Sequence, residues 1–225
     1  MVNAEGLTKV YKSKELEFRA LDDVNISFDS GKIVSILGPS GSGKSTLLNC
    51  LSGIDKPTSG NVFIDEKNIT TLKDDDLTEF RVKNMGFIFQ FFNLIDVLNA
   101  VENVELPLLV LGKDKKESRE KSLKLLDRVG ILNKAYNFPS TLSGGEAQRV
   151  AIARALISEP KIVWADEPTG SLDSKNSFEI MSLIKELNEK NGQTFVIVTH
   201  DIRVSNFSHE IFKMDSGKIV AQELV

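Results

Sequence analysis

The stretch KIVSILGPSGSGKSTLLNCL runs from Lys32 to Leu51, and its reading decides the fold. KIVSIL, Lys32–Leu37, is short, apolar and rich in branched side chains, which predicts an interior strand. GPSGSGKS, Gly38–Ser45, then fits the pattern G-x-x-x-x-G-K-S, and KSTLLNCL, Lys44–Leu51, reads as a helix. Glycines let such a loop curl so that successive N–H groups face inward and collect phosphate oxygens at the helix start. Lys44 is then placed for β- and γ-phosphates, and the Ser45 hydroxyl for Mg²⁺. Gly38, Pro39, Ser40, Gly41, Ser42, Gly43, Lys44, Ser45 and Thr46 are therefore candidate nucleotide-binding residues. An ordinary Gly/Ser-rich turn leaves the lysine, the serine and the flanking pattern unaccounted for.

Moving outward, MGFIF (Met85–Phe89), KIVWA (Lys161–Ala165) and TFVIVTH (Thr194–His200) are apolar runs of the same kind, as expected of strands covered on both faces. Helical patterns fall at Lys44–Leu51, Ser118–Val129, Glu146–Leu156 and Ser174–Glu189. In the last, Ile180, Leu183, Ile184 and Leu187 form one apolar stripe whose purpose is packing. Strands alternating with helices predict an α/β fold with a mostly parallel sheet. Leu21, Val24, Ile26 and Phe28 predict a half-buried strand ending in a turn at Ser30–Gly31. The middle of the chain has few strand-like runs. It reads as a helical subdomain, about 91–157, inserted into an α/β core of about 1–90 and 158–225, all within one domain. GKDKKESREK is expected to be a solvated loop and helix start. KDDD, Lys73–Asp76, suits a helix N-terminus, with a metal site as the remoter alternative.

Composition narrows the function. The 225 residues are 41% hydrophobic and 27% charged, with a formal net charge of -4, which argues against a general nucleic-acid binder. A single cysteine, Cys50, excludes an internal disulfide or a cysteine-rich metal site, and fits a cytosolic chain with a buried thiol. No apolar run reaches the roughly 18 residues of a membrane span, so work at a membrane requires another chain to cross it.

KIVWA delivers two carboxylates, Asp166 and Glu167. Asp166 stands where a P-loop protein holds Mg²⁺ through its water shell, and Glu167 is placed to orient or deprotonate a water. The competing reading is that the pair caps the next helix. His200 ends a strand, where parallel sheets bind ligands, and is a candidate contact for the γ-phosphate and water. His209 has no such context and reads as an ordinary surface or core histidine.

The remaining motifs are LSGGEAQRVAIARAL (Leu142–Leu156), Gln90 in FIFQ, SLD (Ser171–Asp173) and VTHD. Together and in this order, they make nearly the whole chain resemble the ATP-binding-cassette ATPases. That resemblance implies a RecA-like P-loop core with an N-terminal antiparallel β-region, and hydrolysis of ATP with Mg²⁺. It makes Glu167 the general base, lets Gln90 close on Mg²⁺ and the water, and gives Lys44 and His200 supporting roles. It also implies that Tyr11 stacks on adenine, where the plain alternative is a core aromatic in a strand. Asp173 matches the residue that communicates between two nucleotide sites. Ser143, Gly144, Gly145 and Glu146 would cover the γ-phosphate held by a second copy in a head-to-tail homodimer.

FNLIDVLNAVENVELPL and ADEPTGSLDS look like the macrolide-export and lipoprotein-release branch. That implies a separate transmembrane permease, with the chain peripheral on the cytoplasmic face of the membrane. The complex would either expel a substrate or transmit mechanical work. A soluble cassette acting on nucleic acid or the ribosome is the further alternative; the acidic balance and the lack of a second cassette or long coiled coil stand against it. Trp164 and Phe91 depart from the family pattern, which usually has a smaller aliphatic residue and a polar residue there. Phe91, Phe92 and Leu94 are expected either to form a groove for a permease helix or to pack the helical subdomain on the core.

Overall fold

A computed structural model describes residues 1–13 and 16–225. The chain opens with two long strands, β1 (Val2–Ser13) and β2 (Leu16–Phe28), followed by β3 (Ile33–Leu37) and α1 (Lys44–Leu51). Strands β4 (Ser59–Ile64) and β5 (Lys67–Asn68), helix α2 (Asp74–Asn84) and β6 (Met85–Phe89) come next. Three helices then follow without a strand: α3 (Ala100–Val110), α4 (Lys115–Arg128) and α5 (Gly144–Leu156). The chain closes with β7 (Ile162–Asp166), α6 (Ser174–Asn191), β8 (Thr194–Thr199), α7 (Ile202–Ser205), β9 (Glu210–Asp215) and β10 (Lys218–Leu224).

Two sheets result. A four-stranded antiparallel sheet has the order β2-β1-β4-β5, and a six-stranded sheet the order β10-β9-β3-β8-β7-β6. All pairs in the second are parallel except β9–β10. The α/β expectation is met, and its reason is visible residue by residue. In β7, Ile162 and Trp164 enter one hydrophobic cluster while Val163 and Ala165 enter another; in β8, Val196 and Val198 alternate likewise with Phe195 and Ile197. Period-2 alternation between two buried faces is why these runs read as unbroken apolar sequence.

One cluster joins the sheet to α3, α4, α5 and α6 through residues such as Val104, Leu126, Val150 and Ile184. The other joins it to α1 and the antiparallel sheet through Leu47, Leu51, Leu7 and Ile26. Trp164 is fully buried in the second, and its indole Nε1 has no hydrogen-bond partner among the described residues. The predicted turn at Ser30–Gly31 follows β2, and α2 starts on Asp74, Asp75 and Asp76. Among the described residues no helix is long and apolar enough to cross a membrane.

Candidate active site

The strand order does the assembling. β3, β8, β7 and β6 are neighbours, and their registers align Leu37 with Thr199, Val198 with Asp166, and Asp166 with Phe89. Their C-terminal ends therefore stop at one level. The loop of Gly38–Gly43, His200, the Asp166–Glu167 pair and Gln90 emerge there side by side, although they are scattered along the chain.

The loop after β3 is built for close approach. Gly43 caps α1 at φ 99°, and a Cβ there would lie 2.4 Å from the Ala20 carbonyl, so only glycine fits. Lys44 is buried and its Nζ donates to the Pro39 carbonyl at 2.9 Å, which folds the ammonium over the loop. The Ser42 hydroxyl is buried with no hydrogen-bond partner among the described residues. A buried orphan hydroxyl, a buried cation and the free N–H groups of a helix start together fit an anionic phosphate chain. The Ser45 hydroxyl donates to Asp166 Oδ1 at 3.0 Å. Two hard oxygen donors beside a phosphate site fit Mg²⁺. Burial holds the Asp166 carboxyl above its ordinary range and the neighbouring Glu167 charge adds to this, against the Ser45 hydrogen bond and Lys44.

Asp166 and Glu167 cap no helix, because α6 starts only at Ser174 and is capped by Asp173. Glu167 instead faces His200, with Nδ1 and Oε1 2.8 Å apart. A carboxylate only accepts, so Nδ1 donates the hydrogen of this contact. Glu167 stands at φ 48°, and its N–H donates to the Val198 carbonyl at 2.9 Å. Gln148, fully buried on α5, donates from Nε2 to the Pro168 carbonyl at 2.6 Å and fixes the chain just beyond Glu167. Gln90 is held by Ser171, whose hydroxyl donates to the Gln90 carbonyl at 2.9 Å. A Cβ on Gly170 would lie 2.9 Å from Gln90 Nε2.

Tyr11 is 41% exposed and so is not a core aromatic. Its hydroxyl donates to Asp55 Oδ2 at 2.9 Å and faces Thr46, while Lys9 Nζ sits 4.9 Å from the ring centroid. Partial burial keeps the phenol above its ordinary range, with the Asp55 carboxylate adding to it. Lys9 and Asp55 carry no local sign in the sequence, which marks Gln148, Ser171 and Arg154 only as members of longer motifs. Gln148 and Arg154 lie inside the Leu142–Leu156 motif, but nothing local reveals their distant partners.

That motif opens α5, with Ser143 at the N-cap. Ser143 accepts from the Glu146 N–H while Glu146 accepts from the Ser143 N–H, a reciprocal cap. The N–H groups of Gly144 and Gly145, in the first turn, have no carbonyl one turn back within the helix. A Cβ on Gly145 would lie 2.6 Å from Asn176 Oδ1, so glycine lets α5 sit against the start of α6. Asp173 accepts there from the Asn176 N–H and Nδ2. His209 is clear of the site; its Nδ1 accepts from the Ile33 N–H at 2.9 Å and ties β9 to β3.

The Phe91, Phe92 and Leu94 expectation divides. Leu94 packs on the core and Phe92 is half-buried, whereas Phe91 is 73% exposed. A groove of about 470 Å³ does lie beside them, but other residues line it: Ile54, Phe87, Phe89, Asn93, Val110 and Arg154. The reason is topological, since β6 is the sheet's edge strand and leaves Phe87 and Phe89 partly uncovered and stacked, 6.1 Å between centroids.

Known proteins agree with this geometry. The sequence profile of the ABC transporter family matches residues 21–170. An uncharacterised ABC transporter ATP-binding protein of Methanocaldococcus jannaschii is 47% identical, over 99% of this chain and 97% of that protein. The lipoprotein-releasing system ATP-binding protein LolD of Pseudoalteromonas translucida is 42% identical, over 99% of this chain and 96% of its own. A solved dimeric ATP-binding cassette in a post-hydrolysis state, bound to ADP and Pi, superposes with a TM-score of 0.93 at 46% identity, covering 100% of this chain and 98% of that one. This chain is therefore a member of the ABC transporter family, an ATP-hydrolysing cassette.

Proposed function

We propose that the chain is the ATPase subunit of a transport complex, working on a separate membrane permease through ATP-dependent pairing of two copies. The observation that carries this is the alignment of four motif-bearing strand ends at one level. Gly38–Thr46 hold the phosphates, Tyr11 offers its open ring face to the adenine, and Lys44 offsets charge on the transferring phosphoryl group. Ser45 and Asp166 hold Mg²⁺, which when bound neutralises phosphate charge, and Gln90 approaches the same place. Glu167 takes the proton of the attacking water, and His200 orients its carboxylate through the 2.8 Å contact.

Ser143, Gly144, Gly145 and Glu146 close on the phosphates of a second copy, and Asp173 lies where the two copies would meet. The solved relative's dimeric state supports that arrangement. Residues about 91–157 act as the helical unit that carries the signature. The Phe87–Phe89 groove receives a cytoplasmic segment of the permease, and the exposed Phe91 ring extends it. The chain then works peripherally on the cytoplasmic face of the membrane.

Replacing Glu167 tests the chemistry. Glu167→Gln keeps the shape of the site but removes the base, so ATP binding should persist while turnover falls about a hundredfold or more. Single-turnover hydrolysis near the wild-type rate would remove Glu167 from the role.

A further inference from the structure

Gln90 sits in a turn that its own sequence disfavours. The Phe92 N–H bonds the Phe89 carbonyl at 3.2 Å and the Asn93 N–H bonds the Phe91 carbonyl at 2.6 Å, so the chain reverses sharply just after Gln90. Phe92 and Asn93 stand at φ 61° and 48°, consecutive non-glycine residues in the left-handed region. Asparagine tolerates that region, but for a bulky phenylalanine it is an outlier that persists only when something outside the turn imposes it.

The outside agent is Arg154 on α5. Its Nη2 donates to the Phe92 carbonyl at 2.8 Å and its Nη1 to the Asn93 carbonyl, so one guanidinium grips both left-handed residues. Among the described residues Arg154 forms no ion pair. Burial alone pulls it below the ordinary guanidinium range. A half-buried cation used on two peptide carbonyls, with no carboxylate to offset it, is a costly way to hold a loop. The upstream side of Gln90 is already fixed, since Phe89 pairs with Asp166 across β6 and β7. Downstream, Ser171 holds the Gln90 carbonyl, and the Arg154 grip holds the two left-handed residues that follow.

We propose that Arg154 is a positioning residue for Gln90: its guanidinium holds the left-handed Phe92–Asn93 pair and so sets where the Gln90 amide points. The proposal rests on the reading of Gln90 as a group acting at the Mg²⁺ and the water. Arg154 hydrogen-bonds the Phe92 and Asn93 carbonyls and not the phosphate loop, so its replacement should leave that loop unaffected.

The test is steady-state ATPase of the full chain, with KM for ATP, the Mg²⁺ concentration giving half-maximal rate, fluorescent-nucleotide binding and thermal unfolding measured alongside. Gln90→Ala is the reference. Arg154→Met should lower kcat about tenfold or more, the scale expected when a reacting group is misplaced. KM for ATP should stay within about twofold, while the Mg²⁺ requirement moves in the direction seen for Gln90→Ala. Arg154→Lys keeps the charge without the two-pronged donor and should fall in between.

The decisive arm is a double-mutant cycle. Glycine adopts φ > 0 about as readily as φ < 0, so a Phe92→Gly/Asn93→Gly background needs the grip less. Removing Arg154 there should cost under about threefold in kcat, against about tenfold in the native turn. An undiminished cost in the glycine background overturns the proposal. So does an Arg154→Met protein with wild-type kcat, or one that fails to fold in both backgrounds, since Arg154 would then serve the fold. Folding restored by the glycines supports it. Gln90→Ala at full rate, with Glu167→Gln still impaired, would instead remove Gln90 from the site and the proposal's premise with it.

Discussion

Asp166 and Glu167 are adjacent in sequence yet end in different surroundings. Asp166 closes β7 against Ser45, while Glu167 turns left-handed toward His200. Taken alone the pair suits a helix cap, the phosphate loop in the same sequence speaks against it, and the late start of α6 removes it. Cys50 shows the opposite case, in which burial switches chemistry off. The thiol is 1% exposed, and desolvation, helped by the Asp55 carboxylate, pushes its pKa up to about 12. The thiolate is the reactive form, so Cys50 should be inert to a thiol reagent at pH 8 in the native protein and become reactive through the denaturant transition. Fast native labelling at that pH would contradict the burial.

At the scale of elements, the helix starts repeat one device at different depths. Asn99 caps α3 and Ser143 caps α5, each in a reciprocal pair with a glutamate three residues on. Such caps are local, so the spacing alone makes them legible. Asn103, one turn into α3, is a different matter. It is fully buried; its Oδ1 accepts from the Ile95 N–H at 2.7 Å, and its Nδ2 donates to the carbonyls of Ile95, Leu98 and Asn99 at 3.1, 2.9 and 3.0 Å. This one amide fastens the loop from β6 to the helix that follows. Asn103→Leu keeps the volume but strands several backbone groups, and should cost about 3 kcal/mol. Urea unfolding should show a lower midpoint with an unchanged m-value; a midpoint like wild type would mean that water replaces the amide.

For the whole molecule, the two glycine-bearing helix starts sit in different surroundings. The start of α1 is filled in by its own loop and Lys44, whereas the start of α5 is closed by the Ser143–Glu146 cap and has Gly145 packed against α6. If the second serves another copy, complementation follows. On the Glu167→Gln background, Ser143→Arg blocks the nest and Lys44→Ala disables the loop. Neither variant alone should form a dimer with ATP and Mg²⁺. A mixture can build one whole site, from the loop of the Ser143→Arg copy and the nest of the Lys44→Ala copy. Differently tagged copies should then co-purify only with ATP and Mg²⁺. If each chain instead closes its nest on its own phosphates, mixing restores nothing, and that outcome would remove the trans reading.

The sequence by itself determined whatever depends on neighbours within a few residues. The strand–loop–helix cradle, the apolar runs of strands buried on two faces, and the S-x-x-E cap of α5 belong here, because turn and cap geometry is set over three or four positions. Tertiary structure decided which motifs meet. Ser45 reaches Asp166 across 121 residues, His200 reaches Glu167 across 33, and Arg154 reaches Phe92 across 62. Those meetings follow from the order β3-β8-β7-β6, which differs from chain order and from which the edge position of β6 and its groove also result. Strand order is settled by how crossover helices cover both faces of one sheet, a balance of burial over the whole chain that no short stretch encodes.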